Sequence, residues 1–116
     1  MRNWGIILSL LFLCACSSLS ISSEDKNNRA AVLYKYAQSN CLFWYFKHKD
    51  YDTKDIRAIS AGIVEKSNIS LDVFTEISLF IRDYSPKLST KNKIDVNLNK
   101  CFFLEDSEEL KNIISK

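Results

Sequence analysis

Apolar positions fall into two regimes along the chain. The first is a block, Trp4-Gly5-Ile6-Ile7-Leu8-Ser9-Leu10-Leu11-Phe12-Leu13, interrupted by a single serine. A run of about ten residues is too short for a bilayer span, which needs about 20. With Arg2 before it and small residues after it, the block reads as the apolar core of an export signal over residues 1–15. Residues 16–28 are polar and serine-rich, and predict a flexible tether. Beyond them, residues 29–116 read as the helical domain, in which apolar side chains recur at three- and four-residue spacing, the helical period, in several separate segments.

The first helical face carries Ala30, Tyr34, Ala37, Cys41, Trp44 and Tyr45, and predicts a helix over residues 29–46. Lys47-His48-Lys49-Asp50-Tyr51 breaks the pattern. Asp52 or Thr53 can cap a second helix by accepting an orphan N–H of its first turn. Its expected buried stripe is Ile56, Ile59 and Ile63 with Ser60. Gly62 lies inside this helix, where glycine costs about 1 kcal/mol relative to alanine. Close approach of a neighbouring helix accounts for it better than a turn does. Ser70 caps a third helix, with Asp72 in its first turn and Val73, Phe74, Ile77, Phe80, Ile81 and Tyr84 along one side. Pro86 stops that helix. Residues 87–97 show no helical period, and a loop of that length in a small domain is usually functional or disordered. Asp106 and Glu109 have the spacing of a capping pair before a short last helix with Leu110, Ile113 and Ile114. The expected fold is all-α, a small bundle of four or five helices.

Four consecutive aromatics, Phe43-Trp44-Tyr45-Phe46, cannot all face one core, because a turn takes about 3.6 residues. Trp44 and Tyr45 are assigned to the core, and Phe43 or Phe46 to a contact between subunits.

Cysteine placement refines the picture. Leu13-Cys14-Ala15-Cys16 is similar to a bacterial lipobox, with Cys16 the residue to be lipidated; cleavage after Ala15 or among the following serines, without lipid, is the alternative. Cys14 leaves with the signal. Cys41 and Cys101 remain, and an even pair in an oxidising compartment is most simply a disulfide. It closes a loop of about 60 residues, for which chain entropy assigns about 4 kcal/mol.

Charge and composition exclude more than they assign. Sixteen basic against 14 acidic residues leave a formal net charge of +2, too small an excess to argue for nucleic acid. With 2 Gly in 116 residues there is no phosphate-cradling loop, and with 1 His there is little material for a zinc site or a general base. Catalysis by Cys41 would need that base, and His48 lies seven residues on. Asp50, Asp52 and Asp55 lack the glycine and terminal glutamate of a calcium loop and read as a solvated helix start. The chain is therefore read as non-enzymatic, with no metal and no cofactor. What stands out is the stretch after Pro86, where Lys87, Lys91 and Lys93 alternate with Leu88 and Ile94.

Three segments carry a family resemblance. They are Tyr36-Ala37-Gln38-Ser39-Asn40-Cys41-Leu42; Ile59-Ser60-Ala61-Gly62-Ile63-Val64-Glu65-Lys66-Ser67-Asn68-Ile69-Ser70-Leu71-Asp72-Val73-Phe74; and Leu98-Asn99-Lys100-Cys101-Phe102-Phe103-Leu104-Glu105-Asp106-Ser107-Glu108-Glu109-Leu110. Over about residues 30–116 the chain resembles the amidase-immunity proteins of the type VI secretion system, which protect the periplasm against a peptidoglycan-cleaving amidase. The lipobox-like front departs from the simple export of many members. The resemblance implies an all-helical homodimer with one disulfide per subunit, Cys41 to Cys101, which binds the toxin and plugs its cleft. Carried over, the toxin-binding residues are Pro86, Lys87, Leu88, Ser89, Thr90, Lys91 and Lys93, and the protein acts in the periplasm, either free or anchored through Cys16. The competing class is a small envelope lipoprotein serving as a structural or assembly adaptor, which would share the anchor, the disulfide and the helices.

Overall fold

The computed structural model describes residues 19–88 and 93–116. Five α-helices and two 3-10 turns are found among these residues: α1 (Leu19–His48), α2 (Lys54–Glu65), α3 (Leu71–Asp83), α4 (Val96–Asn99), the turns Lys100–Phe102 and Leu104–Asp106, and α5 (Glu108–Ser115). The all-α bundle with one disulfide is as the sequence predicts.

Helix α1 is the spine. Its buried positions Leu33, Ala37 and Cys41 repeat every four residues and face Phe74, Ile77 and Ile81 of α3 and Leu110, Ile113 and Ile114 of α5. Leu33, fully buried, was absent from the predicted stripe; it belongs to the same wide apolar face as Ala30 and Tyr34, which are only partly buried. The helix begins ten residues before the periodicity predicts, at Leu19 rather than residue 29. The backbone of the stretch read as a flexible tether is helical from Leu19, and Asp25, Lys26, Asn27 and Asn28 are exposed, so these four give the helix no buried stripe to reveal it. Once a packed helix exists, each added turn avoids the nucleation cost.

Helix α2 lies outside the main core. Only Ile56 of its predicted stripe is buried; Ile63 is half-buried, and Ile59 is 55% exposed and points outward. The seam with α1 is instead partly polar: Ser60 Oγ donates to Ser39 Oγ at 2.8 Å, and Ser39 donates to the Tyr36 carbonyl at 2.8 Å. Gly62 departs from its explanation too. A Cβ built there would meet no heavy atom within 4 Å, so no helix crowds it.

Helix ends follow short side chains. Ser70 accepts from the Asp72 amide, and Asp52 accepts from the Lys54 amide at 2.9 Å, while Thr53 makes no cap bond. At α5 the cap is Ser107, which accepts from the Leu110 amide at 3.2 Å; Asp106 lies one residue earlier, inside a 3-10 turn. Arg29 donates to the Ile114 carbonyl, placing a cation at the C-terminal end of α5 and tying it to α1.

The four aromatics of α1 are all half-buried. Trp44 packs against the core, whereas Tyr45 and Phe46 turn toward Tyr51, with ring centroids 6.2 and 5.9 Å away. Tyr45 is therefore part of a satellite cluster at the end of α1, outside the core to which the sequence assigned it.

Candidate functional site

The disulfide organises the C-terminal half. Cys41 and Cys101 are joined across 60 residues with Cα atoms 5.5 Å apart, and both are buried. The bond fastens the turn after α4 to the C-terminal third of α1. That turn follows the connection between α3 and α4, which holds most of the predicted site residues.

Each end of this connection has its own tie. The chain leaves α3 at Tyr84, an extended residue (φ −71°, ψ 118°), so the helix stops before Pro86 rather than at it. Pro86 disfavours the α region at Ser85, so the helix could not have run on to the proline; the extended conformation at Tyr84 ends it one residue earlier still. The Tyr84 carbonyl accepts a hydrogen bond from Lys100 Nζ at 2.7 Å. Lys100 is the residue before the bonded Cys101, and partial burial pulls its ammonium below the ordinary lysine pKa. At the other end the chain enters α4 at Asp95. Its carboxylate accepts from the Asn97 amide at 2.8 Å and the Leu98 amide at 3.4 Å, capping the helix. It also pairs with Lys49 Nζ at 2.9 Å. The Lys49 hydrogen bond is the main cause holding the Asp95 carboxyl below its usual range.

Between these ties, Pro86 and Leu88 are half-buried and Lys87 and Lys93 exposed. Ser89, Thr90 and Lys91 lie outside the described residues, as do Cys16 and the export segment. The far end of the stretch read as a loop is ordered as α4, because Asp95 supplies a cap that periodicity cannot register in one turn of helix. Beside the start of the connection, α3 and α5 leave an open groove of about 670 Å³ lined by Glu76, Leu79, Asp83, Pro86 and Glu109.

Lys49 and Lys100 were not among the predicted site residues. Lys49 stands in the polar stretch read only as a break between helices. Lys100 lies in the Lys-Cys pair of the C-terminal segment that carries the resemblance. Their partners are distant in sequence, so no local spacing reports them. Asp50, Asp52 and Asp55 do not converge, and no group of three metal-ligating side chains is found among the described residues.

Fold and site together define a disulfide-tied helical domain whose distinctive surface is one connection held at both ends. No curated protein and no solved structure matches the chain. The family model described as Tai4, type VI secretion system (T6SS), amidase immunity protein, matches residues 31–114. The chain belongs to this family of amidase immunity proteins, which are inhibitors rather than enzymes and whose partners are effector proteins.

Proposed function

We propose that this protein binds a cognate peptidoglycan amidase effector in the periplasm and occludes its active-site cleft with the connection of residues 86–93. The observation that carries this reading is the pair of ties, Lys100 to the Tyr84 carbonyl and Lys49 to Asp95, on a frame already closed by the disulfide. A connection whose ends are fixed loses less conformational freedom on binding, and that saving appears as affinity. Exposed Lys87 and Lys93 flank the part that enters the cleft, with half-buried Pro86 and Leu88 stiffening its first half.

Replacing Lys87-Leu88-Ser89-Thr90-Lys91 by a Gly/Ser stretch tests it. The helical fold stays, as read by circular dichroism, while inhibition of the purified amidase weakens by more than about a hundredfold, the scale of a lost interface hot spot. Unchanged amidase affinity refutes the assignment of the loop.

Two copies pair in this reading. Phe102 (62% exposed) and Phe103 (40%) support a contact through the turns around Cys101 as well as the contact through Phe43 or Phe46 expected from sequence. Cys16 carries the lipid, and the helix from Leu19 then acts as a spacer, its first ten residues spanning about 15 Å. Incorporation of a labelled fatty acid that is lost in Cys16→Ser supports the anchor; a soluble, unlabelled native protein rejects it.

A further inference from the structure

We infer that Lys100 is a positioning residue: it fixes the direction in which residues 84–88 leave the bundle, and does so independently of the tie at the other end. The inference rests on the reading that the connection after Pro86 is the inhibitory element. Lys100 forms no ion pair among the described residues. Its ammonium is instead spent on one backbone carbonyl, that of Tyr84, at the C-terminal end of α3. That carbonyl belongs to the extended residue just beyond α3, so it lies near the negative end of the helix dipole, where a cation is favoured, without being one of the helical carbonyls. A hydrogen bond with a charged donor is also stronger and more directional than a neutral one.

The place of Lys100 in the chain gives this bond its reach. Its own amide is bonded to α4 carbonyls of Val96 and Leu98, and the next residue is disulfide-bonded to α1. The donor is thus carried on a rigid base, while the acceptor is the first residue beyond α3. The opposite end depends on a different pair, Lys49 and Asp95, which is more exposed and open to screening by salt. The two ties share no residue. Loosening one should therefore be felt at its own end of the connection.

Trypsin reads the two ends separately, because Lys87 and Lys93 are both exposed cleavage sites. Cleavage of a locally opened segment tracks the population of the open form. In the full exported protein, Lys100→Met keeps the apolar stem and removes the donor. Cleavage after Lys87 then rises about tenfold, the effect of losing one hydrogen bond to a charged group at a partly exposed site. Lys100→Arg restores a donor and returns the rate toward wild type. Lys49→Met raises cleavage after Lys93 and leaves Lys87 near its original rate. Native-state amide exchange at Ile77 and Ile81, both in the core, monitors global stability in the same samples. Unchanged cleavage at Lys87 in Lys100→Met overturns the inference. So does an equal rise at both lysines together with faster exchange at Ile77 and Ile81, which would make Lys100 a general stabiliser. The amidase assay of the Gly/Ser variant decides the other question: full inhibition there removes the reading of the connection as inhibitory and leaves the trypsin result standing on its own.

Discussion

Reducing the Cys41–Cys101 bond should remove a large share of the stability of this domain. The cross-link closes 60 residues, and chain entropy assigns such a closure about 4 kcal/mol at 25 °C. Domains near 90 residues have total stabilities of roughly 5–13 kcal/mol. Reduction therefore takes between about a third and four-fifths of the total, and a midpoint shift of roughly 20 °C follows from the usual unfolding entropy of a chain this size. Both sulfurs are buried at the junction of α1 with the turn after α4, so the reductant reaches them only through opening of the domain.

The assay is urea unfolding of oxidised and reduced wild type, with Cys41→Ala/Cys101→Ala as a third sample. Oxidised and reduced wild type have the same side chains, so their difference isolates the cross-link. The double variant adds the loss of two buried sulfurs, a further ~1 kcal/mol or so. The slope of the transition should rise on reduction, because an uncross-linked unfolded chain exposes more surface. A stability loss below about 1 kcal/mol would refute the reasoning: it would mean that the unfolded chain keeps Cys41 and Cys101 near each other without the bond.

Gly62→Ala should stabilise the protein by about 1 kcal/mol, visible as a rise in thermal midpoint of several degrees, because the added methyl meets no atom within 4 Å and helical propensity improves; a loss of stability would show a close approach after all. Ile77→Ala, at a fully buried position, should cost about 3 kcal/mol in urea unfolding, while Ile59→Ala, at a position 55% exposed, should stay within about 0.5 kcal/mol; equal costs would restore Ile59 to the core. The Asp95 carboxyl is held below its ordinary value by Lys49, so its contribution is complete above the unfolded carboxylate pKa of about 3.9 and is lost as pH falls through its lower folded value. Chemical shifts of the Asn97 and Leu98 amides should titrate with a midpoint below that of a free aspartate, and a midpoint at or above it would contradict the pairing.

How much of this could be read from the sequence divides by the range of the interaction. Ser70 was legible as a cap because its partner, the Asp72 amide, is two residues away. The stripe of α3 was legible because one face of a single helix meets the core, and its three buried members, Phe74, Ile77 and Ile81, all lie on it. Ile59 was misplaced because periodicity marks an apolar stripe without saying whether anything covers it, and α2 packs at the rim. Asp106 was taken for a cap because its spacing to Glu109 fits, but Asp106 itself closes a 3-10 turn and the cap falls to Ser107, one residue before α5 begins at Glu108. Tyr45 followed the helical period yet was drawn to Tyr51, which comes from the turn beyond the helix. The site shows the same division. The cysteine pair came from composition and resemblance, as did the proposal of the stretch after Pro86, while Lys49 and Lys100 depend on where the chain returns in space.

The three ties around the connection are of unequal kind, and their order matters. The disulfide is covalent and buried, so it fixes where Cys101 sits irrespective of salt or pH. Lys100 inherits that fixed position and converts it into a fixed departure for the chain at Tyr84. The Lys49–Asp95 pair is the softest of the three, since both side chains are partly exposed and the carboxylate titrates. An inhibitor built this way has a stiff proximal end and a more adaptable distal end. On the reading proposed above, in which residues 86–93 occlude the amidase cleft, this gradient sets the direction before binding, where ordering would otherwise cost affinity, and leaves the adjustment to the weaker contact.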